Sequence, residues 1–133
     1  MLDGVMRGVI DAQLDRCGRW FARRGVSADA VTVAGMALGL VAAALVVGQA
    51  APGLALLVLL LNRLADGIDG AVARVRGKSD FGGFLDITCD FVFYAAIPLA
   101  FVLRDLVANG AAAAFLLASF YVIAATFLEL AIL

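Results

Sequence analysis

Apolar residues gather along the chain into four long blocks separated by short polar breaks. The first runs from about Ala28 to Val47 and stops at Gly48-Gln49-Ala50-Ala51-Pro52-Gly53, where glycine and proline signal a turn. The second runs from about Leu54 to Val75 and ends in the polar stretch Arg76-Gly77-Lys78-Ser79-Asp80. The third covers about Phe81 to Leu103, with Arg104-Asp105 and Asn109-Gly110 marking its exit, and the fourth starts near Ala111 and is still apolar at Leu133. Each block is close to the roughly 20 residues that a helix needs to cross a hydrocarbon core. The pattern predicts an all-α integral membrane bundle with four transmembrane helices.

The segment before them differs in character. Val5, Val9, Leu14, Cys17, Trp20 and Phe21 recur at three- and four-residue steps, with Arg7, Arg16, Arg19, Arg23 and Arg24 mostly between them. That spacing predicts an amphipathic helix in the membrane interface, its arginines meeting anionic headgroups. A plain basic flank that fixes topology is the other reading. The expected organisation is an interfacial segment over residues 1–27 and a transmembrane domain over residues 28–133.

Composition agrees with a bilayer as solvent. Hydrophobic residues make up 65% of the chain and charged residues 16%, where a soluble domain keeps about a quarter of its residues charged. Net charge is −1 with no basic tail, so nucleic acid is not an expected partner. The two cysteines, Cys17 and Cys89, have no metal-ligand spacing and read as packing residues. Arginine outnumbers lysine and alanine is abundant, a bias that fits a GC-rich bacterial genome. No cleaved leader is recognisable in the first residues, where acidic and basic side chains are mixed. Basic residues cluster before the first block and at Arg74, Arg76 and Lys78 after the second. The N-terminus and the second-to-third connection are therefore expected on the cytoplasmic side of a cell membrane, with the Gln49–Gly53 turn outside.

Candidate chemistry lies in the charges that the second and third blocks carry. Arg63, Asp66, Asp69 and Arg74 sit on one, and Asp86 and Asp90 on the other. An aspartate at mid-bilayer costs about 2.5–3.5 kcal/mol on insertion scales, so four call for a function. Asp66 and Asp69 are three positions apart and Asp86 and Asp90 four, which puts each pair on one face of its helix. The connection between the helices is short, so the faces can oppose near its mouth. The chain has no histidine, so any acid–base or metal chemistry falls to carboxylates. Four of them converging in low dielectric repel one another unless cations sit among them. Oxygen ligands favour a hard ion, with magnesium, manganese and calcium as candidates. One ion held by all four is feasible, but two ions bridged by a shared pair account better for so much charge. Gly67, Gly70, Ala71 and Ala73 thin the second helix there, as Gly82 and Gly83 thin the start of the third. Small residues permit close helix packing and equally the close approach of a diphosphate. Arg74 returns to the face of Asp66 two turns on, placed to grip a phosphate oxygen. The expected site is a polar cavity at the cytoplasmic end of the first three spans, with opposed carboxylates near enough to share a cation.

Asp66-Gly67-Ile68-Asp69-Gly70-Ala71-Val72-Ala73-Arg74, followed after seven residues by Gly82, Asp86 and Asp90, resembles the signature of the CDP-alcohol phosphotransferases at all eight fixed positions. Asp29-Ala30-Val31-Thr32 is similar to that family's Asn-x-x-Thr, with aspartate in place of asparagine. The resemblance implies an N-terminal interfacial helix and six spanning helices. Four of the six are visible in this chain, which is expected to be truncated after the fourth. It also implies roles for individual residues. Asp66 and Asp86 would bridge two Mg2+ or Mn2+ ions, Asp69 would complete one metal site and Asp90 the other. Asp90 would also take the proton from the acceptor hydroxyl. Asp29, Thr32, Gly70, Ala73, Arg74, Ser79 and Gly82 would contact the cytidine diphosphate. The implied reaction moves a substituted phosphate group from a CDP-alcohol, expected to be CDP-diacylglycerol, to an acceptor alcohol with release of CMP, in phospholipid biosynthesis. The implied assembly is a homodimer among membrane lipids, its packing area coming from Phe91, Phe93, Tyr94, Phe115, Phe120 and Tyr121.

Other readings use the same residues. A divalent-cation channel or transporter would be lined by these carboxylates, but polar residues should then extend through the full depth of the spans. Their outer halves are Leu, Val and Ala. An intramembrane prenyltransferase needs two acidic motifs on distant helices of a far longer chain. An inactive scaffold or fragment is not indicated by the motif, which is intact, and would rest on the missing helices.

Overall fold

Five helices make up the described part of the chain in a computed structural model that covers residues 2–130, though not the side chains of residues 2–10, Leu128 and Leu130. They are α1 (Leu2–Arg23), α2 (Ala28–Val47), α3 (Pro52–Arg76), α4 (Asp80–Arg104) and α5 (Leu106–Leu130). Local chemistry sets their ends. The Ser27 hydroxyl accepts from the Ala30 N–H at 3.2 Å and starts α2, and Ser79 accepts from the Gly82 N–H at 3.0 Å and starts α4. Pro52 stands at the start of α3, where its missing N–H costs nothing. Gly77 ends α3 at φ +100°, a left-handed value that glycine adopts without strain.

The α4–α5 boundary differs from the sequence expectation. Asn109 and Gly110 lie inside α5, which begins at Leu106, and the break is Asp105 alone. Asp105 Oδ1 accepts from the Ala108 N–H at 2.9 Å, so it caps α5. Asn109 turns back to donate its amide to the carbonyls of Phe101 and Asp105, at 3.0 and 3.1 Å. A residue that reads as a loop signal here ties two helix ends together.

Among the described residues, α2, α4 and α5 are long and apolar enough to cross a membrane. Four such helices were expected; α3 falls short because Arg63, Asp66, Asp69, Arg74 and Arg76 interrupt its apolar run. In the bundle α2 packs against both α3 and α4, α1 lies on α3, and α5 touches only α4. Small residues allow the close approaches. A Cβ on Gly35 would stand 3.2 Å from that of Ala65, and one on Gly39 only 2.7 Å from the Phe93 ring. Two apolar clusters mark the ends of the bundle: Val31, Ile68 and Val72 at one, Ala43, Val46 and Ala100 at the other.

α1 is more closely tied to α3 than a helix simply floating at an interface. Leu14, Phe21 and Ala22 join the Val31 cluster, and a Cβ on Gly18 would come within 2.7 Å of the Ala71 backbone. Cys17 and Trp20, expected on the apolar face, are exposed, as are Arg16, Arg19, Arg23 and Arg24. Val5, Val9 and Arg7 have side chains outside the described residues. The sequence expectation for residues 131–133 also lies outside them.

Candidate functional site

The four aspartates share one pocket. Asp66 and Asp69 from α3, and Asp86 and Asp90 from α4, line a cavity of about 10 Å³ together with Thr32, Gly35, Met36, Asn62, Arg63, Cys89 and Phe93. The cavity has room for one water-sized occupant. Its walls come from three helices, so the helical spacing of each pair places the carboxylates while packing on α2 closes the space.

Three of the four carboxylates are engaged by a neighbouring side chain. The Thr32 hydroxyl donates to Asp69 Oδ2 across 2.7 Å, a buried bond from α2 to α3. Arg63 Nη1 lies 3.8 Å from Asp66 Oδ2, and Nη2 lies 3.4 Å from Asp90 Oδ1. The Tyr94 hydroxyl donates to Asp90 Oδ2 at 3.4 Å. Asn62 is buried and donates its amide to the Gly35 carbonyl at 2.8 Å, which fixes α3 against α2 beside the pocket.

The donor set suits a hard divalent cation: carboxylate oxygens with a hydroxyl and an amide nearby, and no histidine. The carboxylates do not meet as closely as the sequence spacing predicts, and among the described residues no three acidic, cysteine or histidine side chains stand at ligating distance. The reason is their present partners. Thr32 draws Asp69 toward α2, and Arg63 takes up Asp66 and Asp90 as the local positive charge.

A second cavity, of about 300 Å³, adjoins the first and shares Thr32, Asp69 and Asp86 with it. It falls at the lower end of ordinary ligand pockets, about 300–1,000 Å³. Its other walls are Ala28, Asp29, Gly70, Ala73, Arg74, Gly77, Lys78, Ser79, Gly82 and Gly83. All seven residues expected to contact a nucleotide diphosphate are therefore around one space. The first turns of α2 and α4 border it, so the positive ends of two helix dipoles and the side chains of Arg74 and Lys78 share its wall with the carboxylates of Asp29, Asp69 and Asp86. The Ser79 hydroxyl is already the α4 cap. A Cβ on Gly82 would stand 3.0 Å from Ser79 Oγ and 3.1 Å from Asp29 Oδ1, so a glycine there keeps this wall open.

Several residues escaped the sequence reading. Asp15 on α1 accepts from Arg74 Nη2 at 2.7 Å and Nε at 3.3 Å. No periodicity could pair residues 59 positions apart. Cys89 is buried, as expected of a packing residue, and its packing position is in the pocket wall. Phe93, Tyr94 and Phe120, expected to supply packing between two copies, pack within the chain. Phe93 covers Gly39, and Tyr94 stacks on Phe120 with ring centres 5.0 Å apart. Phe115 and Tyr121 remain exposed.

A profile of the CDP-alcohol phosphatidyltransferase family matches residues 26–132. "Inner membrane protein YnjF" of Escherichia coli (strain K12) is 42% identical over 134 aligned residues, covering 100% of this chain and 64% of its own length. "Archaetidylinositol phosphate synthase" of Pyrococcus horikoshii is 33% identical over 105 residues, covering 77% of this chain and 54% of its own length. The chain thus spans less than two thirds of these relatives. No solved structure gives a significant match.

Proposed function

The chain belongs to the CDP-alcohol phosphatidyltransferase family, and we propose that it transfers a substituted phosphate group from a CDP-alcohol, with CDP-diacylglycerol the favoured donor, to an acceptor alcohol. The observation that carries this reading is the shared wall of the two cavities. The space bordered by Arg74, Gly70, Ala73 and Gly82 shares Asp69 and Asp86 with the pocket that holds Asp90.

In this scheme the cytidine diphosphate occupies the larger cavity. Arg74 and the helix N-termini meet its phosphate oxygens, and the small side chains at Gly70, Ala73 and Gly82 let the diphosphate approach the backbone. Asp66, Asp69, Asp86 and Asp90 would hold two Mg2+ or Mn2+ ions, which would neutralise charge on the diphosphate and on departing CMP. Asp90 accepts the proton of the acceptor hydroxyl. The acceptor oxygen forms a bond to the phosphorus that carries the alcohol, the bond from that phosphorus to the bridging oxygen breaks, and CMP leaves with the electron pair.

α3 crosses the membrane beside α2 and α4 in this reading, its charged half facing the cavities rather than lipid. α1 lies at the cytoplasmic interface, and the N-terminus and the α3–α4 connection are cytoplasmic in a multi-pass cell-membrane protein. Residues 1–27 serve as the interfacial segment and residues 28–133 as the catalytic membrane domain. Two chains pair as a homodimer, Phe115 and Tyr121 being exposed for the contact. A cation pathway is the weaker reading, because Phe93 packed on Gly39 and the Ala43, Val46 and Ala100 cluster stand between the carboxylates and the far end.

The test is to incubate membranes containing the protein with CDP-diacylglycerol, Mn2+ and a panel of glycerol phosphate, inositol phosphate, serine and simple alcohols. CMP release matched by a new phospholipid with one acceptor is the expected result. Absence of CMP release with every acceptor and with soluble CDP-alcohols would overturn the reading.

A further inference from the structure

Arg63 is the one charged residue of the carboxylate pocket that the proposed reaction leaves without a task. It sits one turn before Asp66 on α3 and is held from several sides. Its Nε donates to Asn62 Oδ1 at 2.9 Å, and Asn62 is itself anchored to the Gly35 carbonyl. Its guanidinium carbon lies 4.4 Å from the centre of the Phe93 ring and 6.0 Å from that of Tyr94. The remaining nitrogens reach Asp66 and Asp90, the first from its own helix and the second from α4. An arginine that only marked topology would extend toward water. This one is stacked, tethered and aimed inward.

We propose that Arg63 is a built-in counter-cation that competes with divalent ions for Asp66 and Asp90. The inference rests on the reading of these aspartates as metal ligands. While no ion is bound, Arg63 offsets the repulsion among the four carboxylates and keeps the α3 and α4 faces apposed. An entering ion must displace both guanidinium contacts and then coexist with a positive charge that the aromatic stack and Asn62 hold nearby. Both effects lower metal affinity. A monovalent charge within several ångströms of a dication, in a pocket only partly open to solvent, changes affinity by at least about tenfold even at an effective dielectric constant near 20.

The experiment titrates purified protein in detergent with Mn2+ alone, following free Mn2+ by its electron paramagnetic resonance signal. Arg63→Met and Arg63→Gln are expected to bind Mn2+ at least about tenfold more tightly than wild type. In chelator both should melt below wild type and recover more of that loss on adding Mn2+ than wild type gains. The glutamine variant keeps a polar group for Asn62 and serves where the methionine variant does not fold. If wild type binds Mn2+ and a folded variant binds it equally or more weakly, the counter-cation role is overturned while the metal site stands. If wild type and both variants all fail to bind Mn2+, the metal-site reading and this inference fall together.

Discussion

Substituting Gly18 by alanine tests whether α1 is part of the machinery or only rests on it. The added Cβ would lie 2.7 Å from both the carbonyl carbon and the Cβ of Ala71, and 3.0 Å from the Ala71 oxygen. Carbon atoms pack best at about 3.5–4.0 Å, so α1 must withdraw from α3 by roughly 1 Å. Backbone cannot swing aside as a side chain can, and overpacking of this kind costs about 1–3 kcal/mol. Near the middle of that range the melting temperature should fall by roughly 5–10 °C. Asp15 lies one turn from Gly18 and shares its displacement. Its 2.7 Å contact with Arg74 then lengthens and weakens. The sole tryptophan, Trp20, is on the same helix, so thermal unfolding followed by its fluorescence reports on α1 directly. Gly53→Ala is the control, because a Cβ there meets nothing within 4 Å. If Gly18→Ala melts at or above wild type, as the control should, the tight α1–α3 contact is wrong.

The remaining expectations concern the two cavities. Asp66→Ala should lose Mn2+ binding and turnover together if Asp66 is one of the carboxylates that hold the ions; undiminished Mn2+ binding in a titration would remove Asp66 from the metal site. Arg74→Lys should raise the donor KM by roughly tenfold, since an ammonium cannot make the two-pronged phosphate contact, with Mn2+ binding unchanged. Asp15→Asn should raise the same KM by only about two- to fivefold, as befits an exposed ion pair that positions Arg74; an unchanged KM in steady-state assays would limit Asp15 to holding α1.

Much of the architecture was legible because lipid and helix geometry impose regular rules. The limits of α2 follow from an uninterrupted apolar run closed by Ser27 and Gly48, and the two aspartate pairs from their spacing. Contacts that join distant parts of the chain were not legible. Asp15 with Arg74, Asn62 with the Gly35 carbonyl, and Phe93 on Gly39 depend on how helices dock, which no single-helix periodicity encodes. Asn109 and Gly110 misled because their usual preference for turns was overridden by a capping bond across the break at Asp105. The carboxylates were placed on the right faces. Their partition between Thr32 and Arg63 depended on side chains from a second helix and on an arginine whose direction the sequence left open.

If a CDP-linked donor is cleaved beside Asp90, CMP is the product to follow. Membranes carrying wild type or Asp90→Asn would receive CDP-diacylglycerol labelled in the cytidine, Mn2+ and the acceptor that supports turnover, with a parallel sample in chelator. The predicted result is CMP release by wild type that stops in chelator and stops in Asp90→Asn, while the variant still retains labelled donor in a binding assay. Asp90→Asn releasing CMP at a tenth or more of the wild-type rate, or wild-type release that persists without divalent ions, would contradict it.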